Sequence, residues 1–281
     1  MFTNCKKDAR TESINEIEDI KEIEPILKDT LQIVDPDIKD LDKTITIELK
    51  QQELIKKSDE REELQKLIID KSYLIENKDY IINFKYPLLN ESFKPTNRNF
   101  NEFLNEYYVN VTKTEADILE SKLMCDSIAA KNFREERFID YKIYNVNDEL
   151  VSVLFYKENF YSGAMHPSFS FDCFNFDLNR GVFMTYKDFF IEGSEDELLV
   201  IINEKINKKI KKGGLHYDCW ELSSTDFLES KNNFVLNETY VEFYFDDCVI
   251  CPSYTGTYSI ELQLVDLLIV LKKYDLNPLV F

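Results

Sequence analysis

The sequence predicts an α+β fold, with antiparallel sheets packed against helices in two sub-domains. Segments with strand periodicity and segments with helix periodicity are segregated along the chain and do not alternate strictly. A hairpin pattern near the middle of the chain favours antiparallel pairing. With 281 residues, of which 44% are hydrophobic, the chain is long enough to bury a substantial core.

The N-terminal quarter differs in composition from the rest of the chain. Residues 6–42 are acidic, poor in aromatic residues and interrupted by two prolines, which is typical of a poorly packed tether. Residues 43–78 begin with strand-like alternation and pass into a charge-rich stretch that we predict to be helical. The folded body then begins with a strand at Tyr80 that Pro87 ends. We therefore divide the chain into a tether (1–42), a lead-in (43–78) and two α+β sub-domains (79–160 and 161–281).

Two helices and a hairpin are predicted in the first sub-domain. The segments "RNFNEFLNEYYVN" and "TEADILESKLMCDSIAAKNF" carry apolar residues at helical spacing and are joined around residues 110–113. The segment "RFIDYKIYNVNDELVSVLFYK" predicts a β-hairpin with Asn147 and Asp148 in its turn. The first sub-domain thus combines helices with an antiparallel pair.

An aromatic strand follows the turn-like segment "YSGAMHP". In an extended chain Phe169, Phe171 and Cys173 share one face, whereas Phe174 and Phe176 lie on the other. Either a bulge near Cys173 resets the alternation, or both faces of the strand are buried. Both alternatives predict a central, covered strand.

The remaining elements are a well-specified helix, two strands, a loop, and a final strand that enters a helix. The segment "GSEDELLVIINEKINKKIKKGG" has a capping-box pattern at Ser194 and Glu197, and its two terminal glycines suit a helix end. Its apolar stripe consists of residues 198, 199, 202, 206 and 210. The later segments are "NNFVLN", "TYVEFYFDD", the loop "CPSYTGTY", and "SIELQLVDLLIVLKKY", whose helix we expect to end before Asn277.

Charge narrows the possible partners. The chain has 53 acidic and 34 basic residues, a formal net charge of −19. This charge repels nucleic acid and anionic membrane surfaces, and it attracts basic proteins. No apolar run approaches the roughly 18 residues that span a membrane, so we expect membrane contact only through an N-terminal lipid.

That lipid expectation comes from the first residues of the chain. "MFTNC" is similar to the end of a lipoprotein signal peptide, in which Cys5 would become the lipidated residue of an envelope protein. The alternative is an ordinary cytosolic start with a chance cysteine.

The other cysteines give no clear pattern. Cys248 and Cys251 form a CxxC inside a predicted strand, where three residues span about 10 Å, beyond the reach of a disulfide. This pair can bond internally only if the chain turns there.

Motifs for catalysis and metal binding are absent from the sequence. There is no GxSxG or HExxH segment. A Cys–His dyad using His166 or His216, and a zinc site built from these histidines with Cys248 and Cys251, stay open without support from spacing. Paired carboxylates carry no specificity among 53 acidic residues. We therefore predict no catalytic residue, no metal and no cofactor.

His166 has two interpretations. It precedes a proline, which favours an extended backbone, and it follows small residues. It either fixes a corner through hydrogen bonds to the loop backbone, or belongs to a recognition loop together with Tyr161.

The order of these segments resembles a known family. "INFKYPLLN", "RNFNEFLNEYY", the stretch from "LVSVLFYKENF" to "KDFF", and "FVLNETYVEFYFDDCVICPSYTG" resemble the extracytoplasmic domain of unknown function shared by RsiV-type anti-sigma factors and PdaC-type peptidoglycan deacetylases. The most specific parts are a Tyr-x-Gly-Gly-Ala-His turn, here residues 161–166, and an Asn-Phe-Asp-Leu-x-x-Gly corner, here residues 175–181. Ala164 and Met165 depart from the turn motif, and Cys251 stands where alanine is usual.

The resemblance implies a module without an established catalytic centre, which in RsiV-type proteins binds lysozyme, a basic enzyme. We therefore expect a non-catalytic, lipid-anchored, extracytoplasmic binding module whose partner is a lysozyme-like hydrolase or cell-wall glycan. The alternatives are a cell-wall glycan or peptide hydrolase that uses a carboxylate or His166, and a structural envelope lipoprotein. The expected contact residues are Tyr161, Gly163, His166, Tyr254 and Tyr258.

Overall fold

The computed structural model describes residues 66–146 and 149–272, and these form an α+β fold as predicted. Cys5, the tether, most of the lead-in, the hairpin turn at Asn147 and Asp148, and residues 273–281 lie outside the described residues. The described strands form one sheet of six and one sheet of three. Within the described ranges, no helix is long and apolar enough to cross a membrane.

The large sheet is a meander with one parallel step. Its part of the chain contains β1 Ile68–Glu76, β2 Tyr80–Leu89, α1 Asn97–Phe103 with a π-turn Leu104–Tyr108, α2 Val111–Leu123, α3 Ser127–Lys131, β3 Glu135–Val146, β4 Leu150–Phe160, β5 Ser168–Asp177 and β6 Val182–Met184. The strands lie side by side in chain order, and every neighbouring pair is antiparallel except β2 and β3. Parallel neighbours need a long crossover, and here it contains helices α1 to α3.

The small sheet follows in the chain and is antiparallel throughout. Its part of the chain contains α4 Tyr186–Phe189, α5 Glu195–Lys211, α6 Ser224–Ser230, β7 Phe234–Leu236, β8 Tyr240–Tyr244, β9 Ser259–Gln263 and a 3₁₀ turn Leu264–Leu267. Strand β8 lies between β7 and β9. Helix α5 packs against this sheet, and a cluster of buried apolar side chains fills the space between them.

Two expectations at the start of the folded body were wrong. Residues 68–76, predicted as the end of a helical stretch, form strand β1, which pairs with β2 along its whole length. Strand β2 does not end at Pro87 but continues to Leu89. β3 pairs only with residues 80–84 of β2, so Pro87 lies where that edge has no strand partner and its missing N–H costs no ladder bond.

Strand β5 settles the question raised by its aromatic residues. It pairs with β4 in continuous register over ten residues, so there is no bulge. Phe171 and Cys173 belong to a cluster between the two sheets, whereas Phe176 belongs to the cluster that includes Phe100 of α1. The alternative with both faces buried is therefore confirmed. The proposed boundary between residues 160 and 161 falls between these two paired strands.

Helix α5 is confirmed, but its capping box is not. Ser194 Oγ instead donates to the carbonyl of Ile191 (2.6 Å) and lies 2.9 Å from the Tyr186 hydroxyl. The C-terminal end behaves as predicted. Gly213 has φ +73°, and Gly214 N–H donates to the carbonyl of Lys209 (2.8 Å), as in a Schellman motif.

Two elements in the C-terminal part of the chain are shorter than predicted: the central strand of the small sheet and the final helix. Strand β8 ends at Tyr244, and the chain then turns through Cys248, which has φ +64°. The helix predicted after β9 is reduced within the described residues to one 3₁₀ turn. Here Leu271 forms a β-bridge with Phe190, and Lys272 N–H donates to the carbonyl of Phe189 (3.0 Å), so the chain is extended where the helix would continue.

A buried polar network joins the two sheets. Ser152 Oγ of β4 donates to Asn175 Oδ1 of β5 (2.7 Å) and accepts the N–H of Leu236 (2.8 Å). Asn175 Nδ2 donates to the carbonyl of Phe234 (2.9 Å). Strand β7 is the edge of the small sheet, so these two side chains satisfy backbone groups that have no strand partner.

We predict that Ser152→Ala lowers the free energy of unfolding by about 2–4 kcal/mol, since it leaves two buried groups, the Leu236 N–H and Asn175 Oδ1, without this partner. Urea denaturation of both proteins measures the difference. The matched control is Ser168→Ala on β5, where an exposed serine makes one bond to the Asn159 carbonyl. Equal losses in the two variants would show that the network stabilises the protein no more than one exposed hydrogen bond does.

Candidate functional site

Three segments meet at one end of the molecule and form what we call the loop face: residues 161–167, 216–220 and 246–258. A disulfide between Cys219 and Cys251 fixes two of them together, so Cys251 does not bond to Cys248 of the CxxC pair. Trp220 adds two hydrogen bonds to the same segment, from its backbone N–H to the Ile250 carbonyl (3.0 Å) and from Nε1 to the Val249 carbonyl (2.8 Å). The turn after β8, which the sequence did not predict, makes this cross-link possible.

The segment 161–167 begins with a tight turn. Ala164 N–H donates to the carbonyl of Tyr161 (2.9 Å), and Gly163 occupies the third position with φ +82°. This is the position that requires glycine in a type II turn. Tyr161 is 47% exposed and Met165 almost fully exposed. Tyr161 and Gly163 therefore lie at an accessible turn, where the sequence placed them.

His166 lies on the surface beside the third segment. Its Nδ1 is 3.3 Å from the Pro167 carbonyl, and its ring is near enough to Asp247 to act against the effect of burial on the pKa of that carboxyl. Burial outweighs this and raises the pKa of Asp247, whose carboxylate accepts the Ser253 hydroxyl (2.8 Å). The structure thus brings the loop of His166 close to the turn that carries Asp247.

Tyr254, an expected contact residue, is exposed and belongs to an aromatic group whose other members, His216 and Tyr217, the sequence did not identify as contacts. Its hydroxyl donates to Asp218, and this bond raises the pKa of Tyr254 to about 12. The His216 ring lies 4.2 Å from that of Tyr217 and 5.5 Å from that of Tyr254. Tyr217 is 78% exposed.

Tyr258, in contrast, does not reach the surface. Its ring is buried and packs 4.7 Å from that of Phe171 between the two sheets. The expectation that it contacts a partner was wrong. Tyr258 immediately precedes β9, and its side chain lies on the face that the large sheet covers.

An acidic cleft of about 330 Å³ opens beside the loop face. It lies along β5, beyond the point where the short strand β6 stops pairing. Its floor includes Phe171 and Phe174. The other lining residues are Asp172, Cys173, Asp226, Glu229, Ser230, Asn232, Asn233, Asp246 and Val249.

Side chains replace the missing strand partner along this stretch of β5. Asn233 Oδ1 accepts the N–H of Cys173 (2.7 Å), and its Nδ2 donates to the carbonyl of Phe171 (2.8 Å). Asp246 Oδ1 accepts the N–H of Phe171 (3.1 Å). Side chains therefore bond three backbone groups along this stretch, and the charge of the cleft comes from its carboxylates.

Two of these carboxylates, Asp172 and Asp246, repel each other. Although part of Asp246 is exposed, desolvation of its carboxylate raises its pKa, and repulsion from Asp172 adds to this. Asp172 is itself compensated by Lys157 (2.6 Å) and accepts the Tyr108 hydroxyl (2.8 Å). Lys157 also lowers the pKa of Asp246, against the larger effect of burial. One lysine thus faces four lining carboxylates, so the cleft favours a cationic group.

The structure gives little support to a thiol or metal site. Cys173 is buried, and burial raises the pKa of its thiol well above the usual range, which opposes formation of a nucleophilic thiolate. Cys251 is held in the disulfide and offers no thiolate to zinc. In the part of the chain that the structure describes, no group of three or more His, Cys, Asp or Glu residues could hold a metal ion.

The corner motif at residues 175–181 is accounted for by folding. Asn175 belongs to the network between the sheets, and Asp177 accepts the N–H groups of Asn179 (2.9 Å) and Arg180 (2.8 Å). Gly181 has φ +68°, and a Cβ there would lie 2.9 Å from Asn99 Nδ2. The corner motif, one of the two most specific parts of the resemblance, is therefore explained by its role in folding.

Two solved structures have the same fold as this chain, although their sequences are only distantly similar. No family model matches the chain. A member of the DUF3298 family from Bacteroides fragilis has a TM-score of 0.55 at 15% identity, and covers 73% of this chain and 94% of that structure. A DUF3298 family protein from Pseudomonas aeruginosa PAO1 has a TM-score of 0.51 at 15% identity, with coverage of 75% and 95%. The chain shares the fold of these two proteins.

One curated protein is related in sequence. The chain is 28% identical over 132 residues to the peptidoglycan-N-acetylmuramic acid deacetylase PdaC of Bacillus subtilis (strain 168). The match covers 46% of this chain and 28% of PdaC, so the chain spans less than a third of that protein. This agrees with the PdaC part of the resemblance found in the sequence, whereas the RsiV part stays a prediction.

We predict that replacing Cys219 and Cys251 together by serine lowers the free energy of unfolding by about 3–4 kcal/mol, the cost expected from the chain-entropy model for a loop of this length. The two cysteines are 32 residues apart. Denaturation under non-reducing conditions measures the change, and Cys125→Ser, at a partly exposed free thiol, is the control. A loss no larger than that of the control would contradict the cross-linking role.

We also predict a pH-dependent effect of Asp247→Asn. Because the folded-state pKa of Asp247 is raised, its ionised form is disfavoured by folding. This cost is present above the folded pKa and vanishes as the pH falls below the unfolded value of about 3.9. The stability of the variant relative to the wild type should therefore rise from about pH 3 to about pH 7.

Urea denaturation at a series of pH values measures this trend. The amide keeps an oxygen for Ser253, and Glu120→Gln on the exposed side of α2 is the control. A stability difference that does not change with pH would contradict the prediction.

Proposed function

We propose that this chain is a non-catalytic binding module of the cell envelope that recognises a basic protein, with a lysozyme-like hydrolase as the specific candidate. The observation that carries the proposal is the acidic cleft that opens beside the exposed aromatic residues of the loop face. Aromatic anchors next to a charged patch are a common arrangement in protein recognition.

Electrostatics favours a cationic partner over other ligands. The net charge of −19 attracts a basic protein at long range, and the cleft provides a local site for its lysine or arginine side chains. Exposed Tyr161, Tyr217 and Tyr254 add contact area with little loss of side-chain entropy. A nucleic acid would be repelled by the same charge.

The envelope location is supported by similarity. PdaC, by its name, acts on peptidoglycan, and the chain is related to part of it. A lipid at Cys5 would anchor the module, and the acidic tether would give it reach. A disulfide in the loop face is consistent with an oxidising compartment.

A hydrolase is the second candidate, and one observation favours it. Asp246 has a raised pKa beside a second carboxylate, Asp172, as a general acid would need. Asp172 is however engaged by Lys157 and Tyr108. Release of soluble fragments from peptidoglycan by the full chain, and its loss in Asp246→Asn, would support this alternative over the binding module.

The primary test is calorimetric titration of the full chain with a basic lysozyme at low and at physiological salt. We expect stoichiometric binding that weakens with salt. Asp172→Asn, Glu229→Gln and Asp246→Asn combined should weaken binding by about tenfold or more and reduce the salt dependence. The amides keep the oxygen acceptors, so the N–H of Phe171 remains bonded.

The control variant removes the same number of charges elsewhere. Glu76→Gln, Asp117→Asn and Glu120→Gln change exposed carboxylates on β1 and α2, and none of them lines the cleft. Asp117 is paired with a lysine, as Asp172 is. Equal losses in both triple variants would mean that only net charge matters. Absence of lysozyme binding would remove this partner and favour cell-wall glycan or a structural envelope role.

A further inference from the structure

The turn at residues 161–164 contacts a buried ion pair. Glu135 and Arg137, at the start of β3, have side chains only 3% and 12% exposed, and Arg137 Nη2 donates to Glu135 Oε2. Arg137 Nη1 also donates to the carbonyls of Phe160 (3.2 Å) and Glu136 (3.1 Å). An ion pair with so little exposure is costly unless its hydrogen bonds are satisfied, and here they are satisfied by the chain that enters the turn.

Both members of this pair contact the turn directly. The guanidinium carbon of Arg137 lies 4.2 Å from the centre of the Tyr161 ring. Glu135 Oε1 accepts the N–H of Ser162 at 3.5 Å, and the Ser162 hydroxyl accepts the N–H of Arg134 (3.4 Å). The position of Tyr161 is thus determined from the end of the large sheet.

Tyr161 uses only one face of its ring in this contact. The inner face covers Arg137, whereas 47% of the residue is still exposed to solvent. A surface aromatic ring with a fixed orientation loses little entropy on binding. We propose that Glu135 and Arg137 are positioning residues that hold Tyr161 as a platform, and that its outer face takes a neutral, C–H-rich group of the partner. This inference rests on the proposed function.

The preference for a neutral group follows from Arg137. A cation is attracted to the electron-rich face of an aromatic ring, and Arg137 already occupies this interaction from the inner side. A second cation on the outer face would gain less. The basic groups of the partner therefore go to the acidic cleft, and an aliphatic side chain of the same protein goes to Tyr161.

The first test needs no partner. Hydrogen exchange in the full chain should show the amides of Ser162 and Ala164 exchanging about tenfold faster in Glu135→Gln/Arg137→Met, with the β4 and β5 amides unchanged. Replacing both charges avoids a buried unpaired ion, and without Arg137 the new side-chain amide is no longer held toward the N–H of Ser162. The control is Glu195→Gln/Lys231→Met, at another half-buried ion pair (2.7 Å). Unchanged exchange in the turn would overturn the positioning role.

The second test is a double-mutant cycle on lysozyme binding. Tyr161→Ala and the Glu135/Arg137 variant should each weaken binding by about tenfold, and their combination should weaken it no further, because the pair acts through Tyr161. Neither should change the salt dependence. Additive losses, or a reduced salt slope in Tyr161→Ala, would overturn the proposal. If the wild type does not bind lysozyme, the proposed function fails, whereas the exchange experiment still decides the positioning role.

Discussion

The two sheets are joined by the hydrogen bonds that Ser152 and Asn175 make to the free edge of β7. Both side chains are fully buried, so each must find a partner or cost stability. Their partners are the Phe234 carbonyl and the Leu236 N–H, which strand pairing leaves unsatisfied. Apolar packing between the sheets would tolerate some sliding, whereas these bonds allow one register only. The hydrophobic effect supplies most of the stability, and the network specifies the arrangement.

The geometry of the candidate site depends on this junction between the two sheets. Asn233 immediately precedes β7, and its side chain bonds the edge of β5 and the Tyr244 carbonyl. Once β7 is placed, Asn233 reaches β5, and the end of β8 follows at Tyr244. The chain then turns into the segment that carries Asp246 and Cys251. The acidic cleft and the loop face are therefore consequences of how the small sheet docks.

Local patterns in the sequence were enough for most elements, because periodicity and turn chemistry are local. The stripe of α5, its terminal glycines, the covered strand β5 and the exposed turn at residues 161–164 could all be predicted in this way. The choice between a bulge and burial of both faces in β5 needed the structure. Pro87 and Tyr258 were placed wrongly, because the effect of a proline depends on which strand edge is free, and burial depends on the partner sheet. Residues 216–220 carry no local signal, since they join the loop face through contacts that are distant in sequence. These are the disulfide, the hydrogen bonds of Trp220 and the contacts of Tyr254 with Asp218 and His216.

The corner at residues 175–181 and the turn at residues 161–164 are constrained to different degrees, for a physical reason. The corner at residues 175–181 serves the network, the turn capped by Asp177, and close packing of Gly181 against α1, so its residue types are tightly constrained. In the turn at residues 161–164, a Cβ at Gly163 would meet nothing within 4 Å, so only its backbone conformation is constrained. Met165 is almost fully exposed, so its departure from the turn motif that the sequence resembles does not disturb the fold. The exposed turn can therefore vary in sequence while the sheets beneath it stay the same.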